Sequence, residues 1–175
     1  MKTIWFVLGH PGSGKSTLCY NSIYKHLPLG QLLRDDKDYK EIIQKCMQTG
    51  TLIPSIITVT VLKNALEDYN GSILIDGFPR NLENILFWEQ EVGIKIKGVI
   101  FMDCPSNICL QRLSQRKRID DNNICIQKRL LSFTLDTLPV IKYYKKQNLV
   151  YTLDATLSIK LLVEKVNQIF IHGKN

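Results

Sequence analysis

The chain has 175 residues, 45% of them hydrophobic, with 23 Lys and Arg against 16 Asp and Glu for a net charge of +7. That is enough apolar material for one core and one domain, and no apolar run approaches the ~18 residues of a membrane-spanning helix, so no membrane association is expected. The basic residues are dispersed, with no long run and no interleaved aromatics, so the charge excess reads as a cleft for several phosphates and not as a nucleic-acid surface.

In chain order, the first predicted element is a buried-type strand over Thr3–Leu8. At six apolar residues, with no small-residue cleavage site after it, the stretch is not expected to act as a signal peptide. It runs directly into Gly9-His10-Pro11-Gly12-Ser13-Gly14-Lys15-Ser16, followed by Thr17. This is the spacing of a P-loop, Gly, four residues, then Gly-Lys-Ser, set between a strand and a predicted helix over Lys15–Lys25. Glycines let the backbone adopt positive φ and bring N–H groups against phosphate oxygens. The helix that follows adds its unpaired N–H groups and a partial positive charge. Lys15 would reach the β- and γ-phosphates of a nucleoside triphosphate, and the Ser16 hydroxyl would ligate Mg²⁺.

Helices are predicted next over Lys37–Gln48 and Ser55–Asp68, in an insertion too long for a simple crossover and expected to cap one side of the site. A strand over Ser72–Ile75 leads into Asp76-Gly77-Phe78-Pro79-Arg80-Asn81. A carboxylate at that strand end would hold a Mg²⁺-bound water, and the turn after it would aim Arg80 into the cleft. Helix Leu82–Glu91, strand Gly98–Met102, helix Asn107–Gln115, a long helix Asn123–Lys146, strand Val150–Leu153 and helix Ile159–Phe170 complete the chain. Apolar strands alternating with helices imply an α/β fold with a parallel sheet and right-handed crossovers, its ligands bound beyond the carboxyl ends of the strands. The five cysteines, Cys19, Cys46, Cys104, Cys109 and Cys125, form no Cys-x-x-Cys pair and no zinc pattern with the three histidines. They read as reduced thiols packed as small apolar residues, which fits a cytoplasmic protein, with the nucleus also compatible.

In combination, Gly9–Thr17, Gly30–Arg34, Gly50–Pro54, Asp76–Asn81 and Arg116–Arg129 resemble the signatures of the nucleoside monophosphate kinases, the adenylate kinase superfamily. The resemblance runs from about Thr3 to Phe170. It is nearest to the UMP/CMP kinases of eukaryotic type, on Asn84 where adenylate kinases usually carry glutamine, on Phe101-Met102-Asp103-Cys104-Pro105, and on Arg118-Ile119-Asp120-Asp121-Asn122 with Lys128-Arg129. It implies a P-loop NTPase fold with a core over about 1–28, 71–115 and 123–175, a nucleotide-binding insertion over about 29–70 and a very short lid over about 116–122. It also implies transfer of the ATP γ-phosphate to UMP or CMP, with dCMP a further candidate, by a Mg²⁺-dependent monomer. An adenylate kinase using AMP, or a nucleotide-binding regulatory module with degenerate catalysis, is the alternative.

The resemblance further implies roles for individual residues. Gly9, Pro11, Gly12, Ser13, Gly14, Lys15, Ser16, Thr17 and Arg112 would hold ATP. Gly30, Arg34, Ile53, Gly77, Arg80 and Asn84 would hold the acceptor, with Arg34 and Arg80 on its phosphate and Asn84 on its base; Gly50, Thr51 and Pro54 also fall at that pocket. Arg116, Arg118 and Arg129 would close on the transferring group, Ser16 and Asp76 would serve the metal, and the Phe78–Pro79 bond would be cis. Asp120 and Asp121 would either orient the lid arginines or cap the next helix. Planar guanidinium groups grip phosphate bidentately and stay charged, which suits a reaction whose transition state spreads charge over oxygens. Two departures stand out: Gln31 occupies the family's aspartate position, and a single residue separates Arg116 from Arg118. They predict a weaker metal shell and less complete cover over the phosphates.

Overall fold

The computed structural model describes residues 1–115 and 123–172. Within them a parallel sheet carries β1 (Lys2–Gly9), β2 (Lys25–Pro28), β3 (Gly71–Asp76), β4 (Ile96–Asp103) and β5 (Val150–Asp154) in the order β2-β3-β1-β4-β5. β1 is central, and Ile4 through Leu8 are all buried because both of its faces are covered. Its side chains alternate between two cores. Ile4, Phe6 and Leu8 pack with Ile73, Ile75, Leu62, Trp88 and Val140, while Trp5 and Val7 pack with Leu74, Ile100, Leu18, Cys109 and Val166. Trp5 and Trp88, 2% and 3% exposed, are therefore packing residues. None of the five cysteines is bridged.

The helices are α1 (Lys15–Asn21), α2 (Leu29–Asp35), α3 (Lys40–Thr49), α4 (Ser55–Glu67), α5 (Leu82–Glu91), α6 (Ser106–Ser114), α7 (Asn123–Ser132), α8 (Leu138–Lys146) and α9 (Ile159–His172). α5 matches its predicted span because its start is chemically marked: the Asn81 side chain accepts the Asn84 N–H. α3 ends at Gly50, whose φ of 69° is the left-handed stop that glycine supplies. Among the described residues no helix is long and apolar enough to cross a membrane.

Three elements differ from expectation. The helix predicted over Lys15–Lys25 ends at Asn21, and Lys25 instead opens β2, an edge strand paired with β3 from Lys25↔Ile73 to Pro28↔Asp76. Four residues containing one fully buried side chain carry no periodicity, and Pro28 is tolerated only because the strand is at an edge. α2 was not foreseen either; it fills the motif Gly30–Arg34. The helix predicted over Asn123–Lys146 is interrupted by a π-helical turn at Phe133–Thr137. There the Leu138 N–H bonds the Phe133 carbonyl, five residues back. Pro139, which has no N–H, follows at the start of α8.

Candidate functional site

The loop between β1 and α1 lies at the carboxyl edge of the sheet, beside the ends of β3 and β4, where open parallel sheets bind ligands. Gly12 has φ +85°, and a Cβ there would strike the Cys109 carbonyl oxygen of α6, so the loop can lie against α6 only with glycine. Gly14, at φ +93°, caps α1, whose first turn faces the cavity with Lys15, Ser16 and Thr17. Nζ of Lys15 arches back over the loop and donates to the Gly9 and His10 carbonyls, each at 2.8 Å. Burial lowers its pKa to about 8, although the Asp76 carboxylate pulls the other way.

Asp76, at the end of β3, is 7% exposed and receives the Ser16 hydroxyl at 2.5 Å. His26 of β2 places Nε2 3.4 Å from the same carboxylate oxygen. Burial alone would raise the Asp76 pKa, but the contact with His26, the nearby Lys15 ammonium and the Ser16 hydroxyl hold it below its usual value. The carboxylate is ionised at neutral pH. His26 carried no sequence signal, since a single histidine in an unforeseen four-residue strand has no pattern to betray it.

These groups open onto one cavity of about 850 Å³. Gly9, Pro11, Gly12, Gly14, Lys15, Ser16, Thr17 and Arg112 line one part of it, and Gly30, Arg34, Gly50, Thr51, Ile53, Gly77 and Arg80 line another, with Arg129 of α7 between elements. Among the described residues, Lys15 and four arginines (Arg34, Arg80, Arg112 and Arg129) face a single lining carboxylate, Asp76, which makes the cavity a site for a polyanion. Nη1 of Arg34 donates to Gly30 O at 2.7 Å, one turn back on α2. Nε of Arg80 donates to Gly77 O at 3.0 Å. The Arg112 guanidinium spans Ser13 O at 3.3 Å and Ala155 O at 3.1 Å, tying α6 to the P-loop and to the end of β5. The far wall closes where Gly50 packs on α7, and Cys125 Sγ donates to Gln48 O at 2.9 Å.

Three predicted residues of the described part do not line this cavity: Pro54, which stops short of it beyond Ile53, Ser13 and Asn84. Ser13 is fully buried beneath the loop, its hydroxyl 3.5 Å from Lys15 Nζ. Asn84 is 3% exposed behind Arg80, lining a small adjoining void with Leu29, Leu52 and Thr58. Its Oδ1 accepts the Arg80 N–H at 2.9 Å, and its Nδ2 donates to Ser55 Oγ at 2.7 Å. Gln31 lines the cavity but spends its amide on both Asp35 carboxylate oxygens, at 2.9 and 3.0 Å. Arg116, Arg118, Asp120 and Asp121 lie outside the described residues. The Phe78–Pro79 bond is cis.

Known proteins resemble this chain in sequence over nearly its whole length. The adenylate kinase family pattern matches residues 7–149. Among curated proteins the chain is similar to the UMP-CMP kinase of Homo sapiens, 36% identical over 186 aligned residues that span 94% of this chain and 95% of that protein. The UMP-CMP kinase of Xenopus laevis is 37% identical over 94% of this chain and 96% of its own length, and that of Danio rerio 35% over 97% and 94%. A phosphate-binding loop, a facing carboxylate and an arginine-lined cavity, carried on this sheet with these relatives, identify the chain as a nucleoside monophosphate kinase belonging to the adenylate kinase family.

Proposed function

We propose that the protein transfers the γ-phosphoryl group of ATP to UMP or CMP. The supporting observation is the convergence of Lys15, Arg34, Arg80 and Arg129 on a single cavity, in a chain whose relatives bear the name UMP-CMP kinase. An oxygen of the acceptor monophosphate, already anionic at neutral pH, attacks the γ-phosphorus as the bond to the β–γ bridging oxygen breaks. No general base is needed, so the protein's work is alignment and charge stabilisation. Lys15 and the P-loop N–H groups hold the donor phosphates, with Arg112 on the donor side. Arg34 and Arg80 grip the acceptor phosphate, and Arg129, with Arg116 and Arg118, neutralises the group in flight.

Asn84 is assigned to the acceptor base. One of its N–H groups and one oxygen lone pair are spent on Ser55 and Arg80. A side-chain amide has two donors and two acceptor positions, so capacity for a base edge remains.

Mg²⁺ fits the residues present. Ser16 and Asp76 present hard oxygen donors at the foot of the P-loop, the carboxylate held ionised. Mg²⁺ commonly rests on one or two protein oxygens plus phosphates and water, so a larger cluster is unnecessary, and none of three or more His, Cys, Asp or Glu residues occurs among the described residues. When bound it would neutralise charge on the donor phosphates. Gln31 stands at the cavity wall as a neutral amide, so Gln31→Asp should lower the Mg²⁺ concentration for half-maximal rate about fivefold, the effect of ~1 kcal/mol of added attraction. An unchanged Mg²⁺ titration would refute that.

A coupled ADP-release assay with MgATP and CMP, UMP, dCMP, AMP, GMP or dTMP in turn, with a no-acceptor control, tests the whole reading. Turnover fastest with CMP or UMP is the expected result. A preference for AMP would show that Asn84 does not select the base, and ATP consumption independent of acceptor would overturn the transfer reading.

A further inference from the structure

Arg80 is held by its backbone from two directions. Its N–H is taken by Asn84 Oδ1, and its carbonyl accepts the Thr137 hydroxyl at 2.9 Å, across 57 positions of sequence. Thr137 is 7% exposed, one of few buried polar side chains. Its bond is unusual for a helical threonine in this protein. Thr49, Thr58 and Thr134 each return their hydroxyl to a carbonyl four residues back, at Lys45, Pro54 and Leu130. Such back-bonding is the default local partner for a threonine in a helix. Thr137 instead reaches a different element, at the one place where the long helix widens into a π-turn, a feature that often marks functional sites. The first residue of the same turn, Phe133, packs its ring 3.9 Å from that of His10 in the P-loop. One turn of helix thus touches the donor loop and the acceptor arginine together.

We propose that Thr137 is a positioning residue for Arg80. Its hydroxyl anchors the Arg80 carbonyl, so the guanidinium is delivered to the acceptor phosphate in one orientation, and the π-turn references that orientation to the P-loop through Phe133 and His10. Aligned transfer is sensitive to displacements of an ångström or less, which is why a group that touches neither nucleotide matters. The inference rests on the role assigned to Arg80 above and is independent of which base is accepted.

The test compares Thr137→Val, Thr137→Ser, Arg80→Ala and the Arg80→Ala/Thr137→Val double variant. Each is assayed with MgATP and the monophosphate the unaltered enzyme phosphorylates fastest, alongside thermal midpoints. Thr137→Val keeps the shape and deletes the hydroxyl. It should lower kcat/KM for the acceptor about tenfold while KM for ATP stays within about twofold, the loss expected of one buried hydrogen bond. Thr137→Ser should restore most of the rate. The double variant should be no slower than Arg80→Ala alone, the non-additivity of residues that act as one unit. Thr137→Cys, with the size of serine and only a weak donor, repeats the comparison should valine unfold the turn. Equal rates for the valine and serine variants, or effects that multiply in the double variant, would overturn the proposal. A slow Arg80→Ala with an unimpaired Thr137→Val would overturn this inference alone, whereas a fully active Arg80→Ala would remove the role of Arg80 and this inference with it.

Discussion

Arg80→Ala should slow phosphoryl transfer by roughly 10³-fold or more, the scale associated with loss of a transition-state arginine. Arg80 lines the cavity just beyond Asp76, with its side chain exposed and Nε on the Gly77 carbonyl. Because the backbone clamp at Arg80 is made by main-chain atoms, alanine can keep it, and the thermal midpoint should move little. Arg80→Lys should recover only part of the loss, since an ammonium restores the charge without the bidentate fork. Steady-state rates at saturating ATP check this. A loss below about tenfold, with the fold intact, would place the acceptor phosphate elsewhere.

Lys15→Met should be nearly as damaging. It removes the ammonium that now bonds the Gly9 and His10 carbonyls and that would shift to the triphosphate. Losing one preorganised donor at developing charge lowers kcat by about 10²–10³. ATP should bind more weakly as well, because charge-assisted bonds contribute roughly 1.5–3 kcal/mol each. The lysine also sets a pH dependence. In the empty site its pKa is lowered to about 8, mainly by burial. Contact with a polyanion favours the protonated form, so the bound-state pKa lies above the free one. Below about pH 7 the lysine is charged in both states and adds no pH dependence to binding. As pH rises through 8, binding must take up a proton, so Kd should climb toward tenfold per pH unit until the bound-state pKa is passed. Calorimetric titration of metal-free ATP in EDTA, in two buffers of different ionisation enthalpy, reads both the affinity and the proton uptake. Lys15→Met should abolish the uptake. A flat Kd from pH 6.5 to 9.5 in the unaltered protein would refute the coupling.

The parts of this site that were legible in the sequence are those built from contiguous residues. The P-loop could be read because its glycines, Lys15 and Ser16 occupy fixed steps between a strand and a helix. Asp76 and Arg80 were legible because an apolar strand ends on one and a tight turn delivers the other. Arg34, Ile53 and Arg129 were assigned through resemblance, and their side chains do meet the cavity. The lid arginines Arg116 and Arg118 fall outside the described residues.

What the sequence by itself determined, then, is local: strand and helix type where periodicity is long, the glycine turns that admit phosphate, and the charge balance of the cleft. The tertiary structure alone decided which distant groups share an atom. β2 exists because β3 offers an unpaired edge, and that pairing is what brings His26 to Asp76. Asn84 stands in the expected motif, yet packing turns its amide onto the Arg80 N–H and Ser55. Thr137 falls inside the stretch predicted as one continuous helix, and only the π-turn sets its hydroxyl against the Arg80 carbonyl. The physical reason is common to all three. A side-chain hydrogen bond between separate elements, whether 29 positions apart as for Asn84 and Ser55, 50 for His26 and Asp76 or 57 for Thr137 and Arg80, leaves no periodicity in either segment, and it forms only once the core has packed the two together.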